Sequence, residues 1–176
     1  MSKQFPAYIL DISHDVQTHE TEDQQTMIEY RKCLKATCKK YRIKHVAEEF
    51  SVMALLKYGL QSTDAQNVAS ESGIEHVLMD PDLNERKSLG IKLREEVARE
   101  LGIYKDDESY TEDEKNSINQ ASAKFDRLRE EEWLSRAFAE ESIGPILFLC
   151  GYQHVEHLLK LLKEKGFMVE HISACK

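Results

Sequence analysis

The run 145–150, PILFLC, passes directly into Gly151 and an amphipathic segment, and it is the feature that most constrains this chain. A strand with one wet face alternates apolar and polar residues. ILFLC does not alternate, so it reads as a strand covered on both faces, which is the habit of parallel sheets. Parallel strands need crossovers, and crossovers are usually helices. The rest of the chain has the matching rhythm. Short apolar runs at 7–12 (AYILDI), 43–47 (IKHVA), 75–79 (EHVLM) and 168–172 alternate with longer helical-period segments at 21–41, 51–58, 63–72, 82–101, 111–141 and 153–165. TEDE at 111–114 is a capping box with Thr111 as N-cap. The segment 82–101 is interrupted near Gly90.

The expected architecture is therefore α/β. It is a single domain over 1–176, with a mainly parallel sheet of about five strands, helices on both faces, and a long helical segment near 111–141. The long segment is a candidate lid or a homodimer arm. At 176 residues, 41% hydrophobic and 32% charged, the composition is that of a globular domain with room for a core. No apolar run reaches the roughly 18–20 residues of a membrane span. The N-terminal MSKQFPAYILDISHD lacks a signal-peptide pattern, so a cytoplasmic location is expected. The net charge of −8 argues against nucleic acid as a partner. The basic stretch at 31–44 reads as a solvated helix face. Cys33, Cys38, Cys150 and Cys175 include no C-x-x-C pair, which favours free thiols.

Open parallel sheets bind ligands outside the carboxyl ends of their strands. Residues following the strands are thus the site candidates: Ser13, His14 and Asp15, then Glu48 and Glu49, then Asp80, then Gly151 and His154. Gly151 permits a tight exit from its strand, where the backbone can approach a bound cofactor or substrate. His154 falls in the first turn of the next helix, where a neutral imidazole is favoured and can ligate a metal or act as a base. Of Glu48 and Glu49, one points to the cleft and the other away; alternation does not say which. Asp80 is equally well explained as the cap of the helix behind Pro81, His76 as a satisfied sheet histidine, and His157 as a helix-surface residue. Arg127 and Arg129 lie about 200° apart on a helix, so only one faces inward. An inward arginine would pair with cleft carboxylates or clamp an anionic group. Trp133 shares the face of Arg129.

Gly151 to His154 forms a G-x-x-H motif. Upstream lie Arg129-Glu130-Glu131-Glu132-Trp133, the strand 43–49 ending in glutamate, and Asp11-Ile12-Ser13-His14. In this order the motifs resemble the TraB/Tiki/ChaN/erythromycin-esterase-like group, most closely over the last 50 residues. The chain departs from that pattern at Asp11, where the group has Gly, at Glu130, where it has Asp or Asn, and at Trp133, where it has Met. The resemblance implies a hydrolase-like cleft using His and Glu, metal-assisted in some members.

The expected function is hydrolysis of a small-molecule or peptide substrate. His14, Glu48, Glu49, Arg129 and His154 are the candidate catalytic residues. His14, Glu49 and His154 are the candidate ligands of a divalent metal. His14 and His154 should approach each other, with one glutamate and Arg129 nearby. The alternative is a non-catalytic ligand-binding or protein-interaction domain.

Overall fold

The computed structural model describes residues 5–19, 23–105, 109–139 and 144–172. Five strands form one sheet: β1 (Pro6–Asp11), β2 (His45–Glu48), β3 (Glu75–Leu78), β4 (Ile146–Cys150) and β5 (Met168–Ile172). Their spatial order is β3-β2-β4-β1-β5, and every pairing is parallel. The strand expected from ILFLC is the central one. All five of its residues are buried, because it has a strand on each side and helices above and below.

Alternation along the strands sends residues to two cores. Ile9, Ala47, Ile146, Phe148 and Cys150 face one side. There they pack against Trp133, Leu134 and Ala137 of α7 (Glu112–Ala137) and Val155, Leu158 and Leu162 of α8 (Tyr152–Glu164). Leu10, Val46, Leu147 and Leu149 face the other side. There they meet Tyr30, Leu34 and Cys38 of α2 (Gln24–Lys40) and Ala65, Val68 and Ala69 of α4 (Asp64–Glu71).

The shorter helices are α1 (His14–Gln17), α3 (Val52–Lys57), α5 (Leu83–Ser88) and α6 (Arg94–Glu100). The expected helix at 82–101 is thus two helices, parted around Gly90, whose φ of +70° favours glycine. The caps follow local chemistry. Ser51, Thr63 and Thr111 each accept a backbone N–H with the side chain, at α3, α4 and α7. At 26 residues, α7 extends for about 39 Å, further than the sheet edge needs. Its first half is not a free arm. Ile118 and Phe125 join Val97 and Ala98 of α6, with Ile91 and Tyr110, in a separate apolar cluster.

Cys38 and Cys150 are free and buried. Cys33 is disulfide-bonded, which corrects the expectation of free thiols there. Cys175 lies outside the described residues. Among the described residues no helix is long and apolar enough to cross a membrane.

Candidate active site

The two glutamates after β2 are sent to opposite faces. Glu48 follows Val46 and is buried at 1% exposure. Its carboxylate accepts from Thr63 Oγ1 at 2.6 Å and Gln17 Nε2 at 3.4 Å, and pairs with His76 Nε2 at 2.9 Å. It ties α1, α4 and β3 together beneath the sheet and is fully engaged there. His76 is correspondingly a satisfied sheet histidine. Glu49 follows Ala47 toward α7 and α8. Its Oε2 accepts the Gly151 N–H at 2.7 Å, and its Oε1 accepts from Arg129 at 2.8 Å and lies 3.4 Å from His154 Nε2.

Of Arg127 and Arg129, it is Arg129 that turns inward. Its guanidinium spans two carboxylates, reaching Glu49 with one terminal nitrogen and Asp80 Oδ1 with Nε at 2.6 Å. It also lies 4.9 Å above the Trp133 ring. Burial opposes its charge, but Glu49 and Asp80 more than compensate and its pKa is raised. Asp80 accepts in addition from Trp133 Nε1 at 3.0 Å and Arg86 at 2.5 Å. Burial pushes the Asp80 carboxyl up; the charges of Arg129 and Arg86, with the hydrogen bonds from Arg129 and Trp133, outweigh it and the pKa is lowered. Asp80 is therefore not the helix cap. Asp82 caps α5, in a capping box with Glu85.

His154 is 2% exposed and stands behind Glu49. Its Nδ1 faces Glu130 Oε1 at 2.6 Å and its ring meets Trp133 edge-on at 4.8 Å between centroids. A carboxylate accepts only, so the Nδ1–H donates to Glu130 and the ring orientation is fixed. The other Glu130 oxygen bonds His157 Nδ1. His157 is thus half-buried on Glu130 rather than on the open helix surface. From the interior outward the side chains run Glu130, His154, Glu49.

Two open clefts meet over this line. One of ≈ 700 Å³ is bounded by Asp11, His14, Glu49, Arg129 and Gly151. The other, of ≈ 490 Å³, lies toward α3 and α5 and is bounded by His14, Glu49, Tyr58, Asp80 and Arg129. His14, exposed at the start of α1, pairs with Tyr58 Oη at 3.4 Å. Of the residues expected from sequence, Glu49 contacts both Arg129 and His154. His14 shares the clefts with Glu49 and Arg129 while His154 stays enclosed. Glu48 is on the opposite face. Gly151 has φ −62° and ψ 147°, open to any residue, so its contribution is the N–H given to Glu49 rather than a special turn.

Both His154 ring nitrogens face carboxylates of the fold. Among the described residues no group of three or more His, Cys, Asp or Glu side chains is arranged to hold a metal ion. The donor set as placed does not fit the expected divalent metal. Glu130 and Asp80 are the functional-site residues that the sequence reading missed or explained otherwise. Glu130 had a signal, since it falls at helical spacing with Trp133, Leu134 and Ala137. No known protein family, curated protein or solved structure matches the chain.

Proposed function

We propose that this chain is a hydrolase acting on a small-molecule or peptide substrate, with Glu49 as the base that activates water at the carboxyl edge of the sheet. The observation that carries the reading is the line Glu130–His154–Glu49, which leads from the interior to a carboxylate at the junction of two clefts. Arg129 and the Gly151 N–H hold Glu49 in place. A carboxylate has about four lone-pair sites, so acceptor capacity remains for a water. The proton taken from that water can pass from Glu49 Oε1 to His154 Nε2, and Glu130 stabilises the imidazolium that results. Arg129, engaged by two carboxylates, positions Glu49 rather than clamping a substrate anion. The resemblance to the TraB/Tiki/ChaN/erythromycin-esterase-like group supports the same class of reaction.

The test is turnover of a chromogenic panel of esters, amides, phosphate esters and short peptides by the wild type and by Glu49→Gln. Gln keeps the shape but offers a single acceptor oxygen, for either Gly151 or Arg129, and cannot take a proton. At least one class should be hydrolysed, with kcat falling roughly 10²–10⁴-fold in the variant when both proteins are assayed well below the variant's own melting temperature. Absence of turnover across the panel, or full activity in Glu49→Gln, removes the reading.

A further inference from the structure

Hydrolysis needs two proton transfers, one from water and one to the leaving group, and Glu49 with His154 accounts only for the first. We infer that Asp11, held by His171, is the proton donor to the leaving group; this rests on the hydrolase reading above.

The placement follows from register. Asp11 is paired with Cys150 on one side of β4. On the other side Glu48 is paired with Leu149 and the Glu49 N–H donates to the Leu149 carbonyl at 2.8 Å, so Glu49 stands beside Cys150. Asp11 alternates with Ile9, and Glu49 with Ala47, both on the α7–α8 face. The two carboxylates therefore flank the end of the central strand on the same face. Their Cα atoms are two strand spacings apart, about 9.6 Å. Both residues line the ≈ 700 Å³ cleft.

Asp11 is built for a held but accessible carboxyl. Its Oδ1 lies 2.8 Å from His171 Nε2 on the edge strand β5, and its side chain is 17% exposed. A neutral His171 with the proton on Nε2 donates to Oδ1, leaving Oδ2 free to carry a proton. The other charged and titratable groups bounding the same cleft are His14 from α1, Glu49 after β2, Arg129 from α7 and Tyr152 from α8. Of these, Glu49 is the base and Arg129 is engaged by two carboxylates. In the step, water gives one proton to Glu49 and its oxygen bonds the electrophilic centre. The bond to the leaving group breaks with its electron pair, and that group takes the proton from Asp11 Oδ2. Solvent restores the Asp11 proton, and the proton held between Glu49 and His154 returns through Glu49 to the cleft water, so the enzyme ends the cycle in its starting state. His171 is a positioning residue that stabilises the Asp11 carboxylate left behind. Substrates needing this donor are those with poor leaving groups, such as alkoxides and amines.

The experiment uses matched substrates of whichever class is turned over, differing only in a nitrophenolate or an alkyl leaving group. Nitrophenolate departs without a proton, so Asp11→Asn should cost less than about tenfold there and roughly 10²–10⁴-fold in kcat with the alkyl group. Glu49→Gln should lose both. His171→Gln should show the same leaving-group selectivity as Asp11→Asn to a smaller extent, in kcat and not in KM, an effect that a purely structural histidine would not have. Equal losses of Asp11→Asn on both leaving groups, or none, overturn the inference and leave the role of Glu49 standing. The same selectivity in His14→Gln instead of Asp11→Asn overturns it and places the donor on His14. A wild type inert toward every matched pair overturns both readings.

Discussion

Removing the Arg129 guanidinium while keeping its aliphatic bulk, as in Arg129→Met, should cost about 3 kcal/mol of folding stability. Its side chain is 15% exposed, and its two partners, Glu49 and Asp80, are 12% and 9% exposed. Deleting one member of a buried ionic cluster costs about 3–5 kcal/mol, chiefly because the remaining charges lose their counter-ion. The lower end applies here, since Asp80 keeps Arg86 and Trp133 and Glu49 keeps the Gly151 N–H. Urea unfolding at pH 7 measures the loss directly, and in a chain of this size about 3 kcal/mol lowers the melting temperature by roughly 6–12 °C. Arg129→Lys preserves charge but cannot span two carboxylates, so it should recover only part of the loss. Combining Arg129→Met with Asp80→Asn should cost less than the sum of the two, with a coupling of about 0.5–3 kcal/mol. A penalty below about 1 kcal/mol for Arg129→Met would show that the cluster does not hold the sheet edge together.

Two further outcomes follow from the same groups. The folded-state pKa of Asp80 lies below its ordinary value, so the stability it contributes is fully present above about pH 4 and is lost as pH falls through the folded value. Acid unfolding of Asp80→Asn should consequently be less steep over that range than acid unfolding of the wild type, and identical slopes would mean that Asp80 is not held ionised by Arg129. Hydrolytic activity should survive dialysis against a chelator, because both His154 nitrogens face carboxylates; loss on chelation with recovery on adding a divalent cation would restore His14, Glu49 and His154 as ligands.

Much of the fold was legible because its signals are local. ILFLC declared a doubly covered strand, and TEDE declared the start of α7. What the sequence left open depended on which helices share a face. Glu48 and Glu49 had to point opposite ways, but only the placement of α7 and α8 over Ala47 decides that Glu49 meets Arg129. Asp80 and Asp82 flank Pro81 and either could have capped α5; burial beside Trp133 and two arginines selects Asp80 for the site and leaves Asp82 to cap. Glu130 was hidden in a charge run, yet it lies one residue from Arg129 and three from Trp133, and two histidines of α8 converge on it. Its burial needs α7 packed against α8, and spacing within either helix does not say which residue of α7 the two histidines meet. The Cys33 disulfide was illegible for a related reason, since spacing speaks only to near neighbours.

The central claim is that Glu49 and His154 act as one unit, and a kinetic double-mutant cycle tests it most directly. On a substrate that the wild type hydrolyses, kcat is compared for Glu49→Gln, His154→Ala and the double variant. Groups that work as a unit are non-additive, so the double variant should be scarcely slower than the slower single variant. If the two losses multiply, or if His154→Ala retains wild-type kcat, His154 does not act through Glu49 and the proposed path from Glu130 to the cleft is contradicted.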